Sequence, residues 1–487
     1  MELPFPTRPY EAGLIVGAIS AQGARVWIRA PGARPHELRV RGPACARALP
    51  VRCGPETDHT TVLDLLDLEP DTEHALDLVE LSDDGGRSVL PPDLRARVRT
   101  LALHPDRLCF AFVSCHLPFV ASGESIELAP SLATLDALVE VATARDARFV
   151  LHLGDQMYAD PDRLPAVNAW RLARNAAGRG EPWDATALYR ALYRGYFGVP
   201  SMRRLHARFG NLMMWDDGEI RDAWGSVPLP KEDGAIADAM FAGATRAYRE
   251  WQHAHNPKTE GDDLHYAFDA GPASFFVLDL RSHRDAARRT LLGERQWRAF
   301  EQWIAATEGA PVRFVASSVP PLHTPDLLVE RLTRQGTRSD VLPSAFHDRW
   351  SADAFHDELV RLLELLLPRG VVVLSGDIHI GAANEIVGRD DRRVHQWISS
   401  AITHQPSLVS RLESELVSRL ADLASPLRVA ARFHELANNF GLVELVRRGD
   451  RAWSVTFELW VVGPAGPRAI QRVEATAIDG IVGAGVA

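Results

Sequence analysis

An α/β fold preceded by a smaller all-β unit is what this sequence predicts, and three observations carry that prediction. The chain has 487 residues, beyond the roughly 250–300 at which single cores stop growing, so more than one domain is expected. Residues 1–103 carry short alternating segments between Gly, Pro and Asp turns. From about Leu108 apolar strand-like runs alternate with stretches of helical spacing, the pattern of a sheet covered by helices.

In the first region Ala24–Arg29, Glu37–Arg41 and Thr61–Leu65 read as strands, and LEPDTEHALDLVEL reads as a turn followed by a strand. No His/Asp/Cys cluster occurs there, so a β-sandwich with a structural or positioning role is expected for 1–103. In the second region, 108–487, Cys109–Val113 is a short apolar run. Leu128–Ala144 is helical through Leu132, Leu135, Leu138 and Val139, and Arg148–Leu153 is a buried strand. Ala185–Phe197 and Gly234–His255 read as helices, with the strand Asn211–Trp215 between them. Ala273–Leu278, Val312–Ala316 and Val371–Leu374 are further strands, separated by helices at Gly293–Thr307 and Ala352–Leu367. Pro406–Leu423 carries a leucine stripe suited to core packing. Gly441–Val446 and Ala452–Val462 are expected to complete a sheet.

Hydrophobic residues make up 46% and charged residues 24%, ordinary values for a folded chain. The net charge of −10 and the scatter of the arginines argue against a broad nucleic-acid or anionic-membrane surface. A small anionic substrate remains compatible, because bound cations make a site locally positive. Cys45, Cys53, Cys109 and Cys115 are too few for a disulfide framework in a chain this long. The N-terminus has neither a basic stretch nor an apolar core with a cleavage site, and no apolar run approaches the roughly 20 residues that span a bilayer. A cytoplasmic protein is the expectation.

The chemistry gathers after the strands. CFAFV ends in Ser114-Cys115-His116, FVLHL in Gly154-Asp155-Gln156-Met157-Tyr158, LMMW in Asp216-Asp217-Gly218-Glu219, FFVL in Asp279-Leu280-Arg281-Ser282-His283-Arg284, and VVVL in Ser375-Gly376-Asp377-Ile378-His379. In open α/β sheets ligands bind at the carboxyl ends of strands. Each piece alone has a plain alternative. An Asp after a strand caps helices or forms turns, an Asp and a His two residues apart form a hydrogen-bonded pair, and arginines form surface or interdomain ion pairs. Converging on one edge, Asp155, Tyr158, Asp217, Asp377 and His379 point to a metal centre, since clustered carboxylates repel unless cations neutralise them. Arg281 and Arg284 are spaced to offer a guanidinium to a phosphate.

At these motifs the chain resembles the alkaline phosphatase D (PhoD-like) family of metallophosphoesterases. The similar segments are FAFVSCH, HLGDQMYAD, MMWDDGEIRDAWGS, HNP at His255–Pro257, FFVLDLRSHR, VVLSGDIHIGAANEI, ISSAITHQP and NNFG at Asn438–Gly441. The N-terminal GLIVGAISAQGARVWIRA looks like that family's opening strand pair, in a fibronectin III-like sandwich. The resemblance implies a four-layer αββα core and hydrolysis of small phosphate mono- or diesters by a hydroxide bridging two or more metal ions. By position it makes Cys115, Asp155, Tyr158, Asp217, Asp377 and His379 metal ligands, with His116 competing with Cys115. Asp217, Arg281 and Arg284 would serve catalysis. A Tyr and a Cys on one ion suit Fe(III), with Ca, Mn or Zn at the second position. One departure stands out: the family's WDDH is here WDDG, with Gly218 at the histidine position. General acid catalysis contributes about 10²–10⁴-fold, so either His283, His323, His404 or Glu219 substitutes, or the substrate has a good leaving group, or the chain binds metal or phosphate with little turnover. Restoring the side chain with Gly218→His would then raise turnover.

Overall fold

The structure is a computed structural model that describes residues 2–83, 85–323, 347–388, 391–405, 428–478 and 480–484. The leucine stripe at Pro406–Leu423 lies outside the described residues. Two seven-stranded sheets form its centre. The first places the parallel strands Arg107–Val113, Phe149–Leu153 and Gly210–Met214 beside each other. It continues antiparallel through Asn439–Arg447, Ala452–Gly463, Gly466–Ile478 and Ile481–Ala484. The second runs parallel through Ala273–Val277, Val312–Ser317, Val372–Ser375 and Arg393–Ile398. Antiparallel strands flank it: Tyr266–Ala270 on one side, Gly381–Val387 and Arg428–Glu435 on the other.

Side-chain alternation makes four layers of these sheets. Phe110 and Phe112 face inward with Phe149 and Leu151, and meet Phe275, Phe314 and Leu374 of the second sheet. The Phe110 ring lies 5.3 Å from Phe275 and 5.4 Å from Phe314, edge to face in both cases, the arrangement aromatic quadrupoles favour. The intervening Cys109, Ala111 and Val113 face outward, under helices that include Leu132–Ala144, Ala185–Phe197 and Ala237–Trp251. On the far side Phe276, Val315 and Val373 pack beneath Glu294–Ala306 and His356–Leu366. The architecture is αββα, as the resemblance implies. No helix among the described residues is long and apolar enough to cross a membrane.

Several helices are shorter than their apolar spacing predicts. The Leu128–Ala144 helix starts at Leu132, because Leu128 closes a hairpin with Phe119–Ser122 and Pro130 precedes the first turn. Within Gly234–His255 the helix runs over Ala237–Trp251, preceded by a short turn at Lys231–Gly234 and followed by a 3-10 turn at His253–His255. Ala352–Leu367 begins at His356.

Residues 13–99 form a three-stranded sheet (Gly13–Ile19, Ala24–Arg29, Thr60–Leu65) and a five-stranded one around His36–Arg41 and Glu73–Ser82. Val26, Ile28, Leu38, Val40, Leu76 and Leu78 lie between them. The outer face of the small sheet is not solvated. Trp27 and Tyr10 enter the core beneath the helices, and the Trp27 indole N–H donates to the Glu250 carbonyl at 2.7 Å. Arg29 and Arg194 share the Asp58 carboxylate from opposite sides of this junction.

Candidate metal centre

The parallel strands of both sheets end at one edge, and the loops that follow turn sharply there. Cys115, Asp155, Asp377, His379 and Ala401 all adopt left-handed backbone, with φ of 59°, 57°, 65°, 56° and 66°. Outside glycine that conformation costs roughly 1–2 kcal/mol per residue, and it concentrates where surrounding structure over-determines a functional geometry. Gly154, at φ 91°, lies so close to Asp216 that a Cβ there would overlap the aspartate's own. The two strand ends can therefore approach only because residue 154 is glycine.

Two sets of potential ligand atoms result, each with all members within 4.8 Å of one another. Cys115, Asp155 and His379 make one; Asp155, Asp216, Asp217 and Asp377 make the other. Asp155 belongs to both. Its Oδ2 accepts the Tyr158 hydroxyl at 2.9 Å and lies 3.4 Å from the Cys115 Sγ, while its Oδ1 accepts the Gly218 N–H at 3.0 Å. The Tyr158 oxygen is also 3.4 Å from the His379 Nε2. Cys115, Asp155, Tyr158, Asp217, Asp377 and His379 thus come together. Asp216, which the strand-end argument treats only as a neighbour of Asp217, joins them.

The electrostatics are those of a site built for cations. Burial pushes Asp155, Asp217 and Asp377 well above the usual carboxylate range. Neighbouring Cys115 and Asp217 add to the rise at Asp155, and Asp216 and Asp217 to that at Asp377. Burial lifts the Cys115 thiol to about 11 and the Tyr158 phenol well above its ordinary value. Burial, then His404, holds His379 well below the usual imidazole range. Among the described residues Asp216 Oδ2 is buried with no hydrogen-bond partner, which costs about 1–3 kcal/mol unless one is supplied. A carboxylate, imidazole, phenol and thiol donor set with an orphaned buried oxygen fits metal ions, and supports either oxygen-preferring or borderline ones.

A raised folded-state pKa means the folded protein holds its proton more tightly than the unfolded chain. The stability that proton contributes is present below the unfolded value near 4 and is lost as pH rises through the folded values. Metal-free protein is therefore expected to lose thermal stability as pH climbs above about 4, and bound metal should reverse the trend. Melting curves against pH, with chelator and with metal, check this; superimposable curves would refute it.

Supporting residues surround the ligands. Glu219 commits both its oxygens to the loop backbones, and burial raises its carboxyl to about 7. Oε2 accepts the N–H of Asp155 and Asp216 at 2.9 and 2.8 Å, and Oε1 that of Gln156 at 2.7 Å. The Ser400 hydroxyl lies 3.1 Å from Cys115 Sγ and accepts the His379 N–H at 2.9 Å. Asn439 donates to the Ser400 carbonyl and accepts from the Ser399 hydroxyl, and Asn438 holds the carbonyls of Ala401 and His404. Only the NNFG segment hints at these asparagines in the sequence.

Three expectations need correction. His116 does not compete with Cys115. Its ring is buried on the helix side, 5.5 Å from the His152 ring, with both nitrogens unpartnered, because the left-handed turn at Cys115 sends the two side chains in different directions. Arg281 does not offer its fork to a phosphate. The fork is bidentate to Asp348, at 2.8 and 2.7 Å, and its Nε is held by Asp216. Arg284 is sealed from solvent, with its Nε bound to Asp348 and Ser226 and its guanidinium stacked over Phe355 at 4.4 Å, while its two terminal nitrogens find no hydrogen-bond partner among the described residues. Asp348 follows no strand and carries no motif, so sequence reasoning missed it. Burial raises its carboxyl, but Arg281 and Arg284 outweigh that and hold it below the usual range.

Gly218 also reads differently in three dimensions. A Cβ there would overlap Asp155 Oδ1 and press on the Met157 carbonyl, so the Asp155 carboxylate, with the Met157 carbonyl behind it, occupies the space a side chain would need. Gly218→His is expected to lower metal content at least about tenfold, in place of the gain in turnover that the sequence suggests. Metal analysis of the folded variant checks this, and full occupancy would refute it. Of the other proposed substitutes, His283 lies against Gly293 and His323 beside His434. Among the described residues His404 is the one whose ring meets the ligand set, stacked 3.8 Å from His379.

An αββα sandwich with an acidic cluster at the shared ends of its parallel strands is a metallophosphoesterase fold. The chain belongs to the PhoD-like phosphatase family, whose profile matches residues 118–454. The chain is 24% identical over 266 residues to alkaline phosphatase D of Bacillus subtilis (strain 168), a match covering 49% of this chain and 42% of that protein. The chain thus spans about two fifths of that relative's length. Two solved structures share the fold. One is described as the structure of PhoD, with TM-score 0.68 and 17% identity over 99% of this chain and 93% of that one. The other is purple acid phosphatase PPD1 from yellow lupin seeds, with TM-score 0.57 and 11% identity over 96% and 74%.

Proposed function

We propose that the protein is a metal-dependent phosphoesterase acting on small phosphate mono- or diesters. The observation that carries this is the pair of overlapping ligand sets sharing Asp155. Cys115, Asp155, Tyr158 and His379 would hold one ion, of which Fe(III) suits the phenol and thiolate best. Asp155, Asp216, Asp217 and Asp377 would hold a second, oxygen-preferring ion such as Ca or Mn, with Zn also compatible. Such ions supply Lewis acidity toward phosphoryl oxygens and lower the pKa of water held between them. The chain's own part is to fix the ligands on strained loops, to hold Asp216 and Asp217 beside Arg281, and to clamp the loop backbones through Glu219. Residues 1–103 would position, and 108–487 would carry out, the chemistry.

The test is direct. The purified protein is analysed for metals, stripped, and assayed against one phosphomonoester and one phosphodiester after addition of Fe, Ca, Mn or Zn. Stripping should abolish hydrolysis, and at least one ion or pair should restore it. A stripped protein that stays inactive with every ion and combination would defeat the reading. It would leave the alternative that Gly218 favours, a family member that binds metal or phosphate without turnover.

A further inference from the structure

We propose that the apolar cavity beside Tyr158 and His404 receives the leaving group of the substrate, and that this group is an aryl oxide. The inference rests on the phosphoesterase reading above. A cavity of about 400 Å³ opens next to the ligand set, within the range of small-molecule sites. Leu117, Phe119, Val120 and Leu164 supply an apolar wall, and the rings of Tyr158 and His404 complete it. Those two rings tie the cavity to the metal centre. The Tyr158 hydroxyl bonds to Asp155, and His404 stacks on His379. A group seated there would lie against two rings that themselves touch ligand residues, between aromatic faces suited to a flat ring.

A second observation concerns the proton. Residue 218 has no side chain, and Glu219 is committed to three backbone N–H groups. The His404 Nδ1 faces the Gln405 carbonyl at 2.8 Å. A simple alkoxide leaves badly without a donor, its conjugate acid having a pKa near that of water, about 16. A phenol's is about 10, so an aryl oxide departs as the anion. In the step, a water oxygen bonds to phosphorus and gives up a proton. The bond from phosphorus to the aryl oxygen breaks, the electron pair stays on that oxygen, and the aryl oxide takes its proton from solvent. The exposed pair Asp162 and Arg163 lies at the cavity rim, so the rim adds little net charge and the selectivity falls to the apolar wall.

Two measurements test this, using the protein with the metals it carries as purified. Calorimetry compares phenylphosphonate with methylphosphonate, neither of which is hydrolysed. Phenylphosphonate should bind at least about tenfold tighter, the effect of burying an aryl face, with the more negative heat-capacity change that marks apolar burial. Steady-state kinetics compare phenyl with methyl phosphoesters in the parent and in Ala121→Trp, which fills the cavity from an exposed wall position. The kcat/KM ratio of phenyl to methyl should fall at least about tenfold in the variant. Equal phosphonate affinities, or a ratio unmoved in a folded variant, would overturn the inference. Failure to hydrolyse any ester would instead defeat the underlying phosphoesterase reading, while the phosphonate comparison would still report on the cavity.

Discussion

Asp155→Asn should strip the protein of metal. Asp155 is common to both ligand sets, so neutralising it weakens both positions at once. Losing an outer hydrogen-bond partner of a metal ligand typically costs 10–100-fold in affinity. Loss of a shared ligand should therefore exceed about 100-fold, and hydrolysis should fall with it. Folding should survive. An asparagine oxygen can still accept the Gly218 N–H that Asp155 Oδ1 now accepts at 3.0 Å. The metal-free variant also no longer buries a carboxylate that burial disfavours. Equilibrium dialysis and melting curves give the two halves of the result. A variant that keeps both ions at parental affinity would rule out a shared role for Asp155.

The second large effect is expected in stability. Arg281 is fully buried among Asp216, Asp348 and, at 3.8 Å, Asp217. Arg281→Met keeps much of the bulk but leaves these carboxylates with less counter-charge. Breaking a buried ion pair by removing one partner costs about 3–5 kcal/mol. A loss of that size should appear in denaturant unfolding of the chelated protein. Adding Asp348→Asn should recover part of it, because the two positions share one network and their effects are not additive. A loss below about 1 kcal/mol in the single variant would contradict the network.

How much of this is legible in the sequence depends on which atoms announce themselves. A buried parallel strand shows as an apolar run, and the loop after it as the first polar residues. Asp155, Asp217, Asp377 and His379 can therefore be found without a structure. The choice between Cys115 and His116 cannot, because adjacent residues after one strand look alike in sequence, and only the structure shows Cys115 among the ligands and His116 beside His152. Asp348 and Ser400 sit in loops that look like any other, and their importance comes only from what lies across from them. Arg281 shows the converse. Its spacing suggests a phosphate ligand, but the partners that occupy it arrive from residues 216 and 348. Next to the edge of the first sheet, Gly466–Ile478 leaves much of its length exposed, so it lacks the apolar run by which the inner strands are recognised.

One short segment gives the N-terminal sheets a stake in the chemistry. The Glu250 carbonyl takes the Trp27 indole proton, and Trp251 packs 5.0 Å from the Trp27 ring. The next residue, Gln252, donates to Glu219 at 3.0 Å, the carboxylate that clamps the backbones of Asp155, Gln156 and Asp216. From Trp27 to the ligand loops the path is thus three consecutive residues and one side chain. The opening sheets pack, through Trp27, on the segment that carries Gln252. A truncated protein lacking them would uncover Trp251 and loosen the segment carrying Gln252, and the loss would register as slackness in the loops that Glu219 clamps.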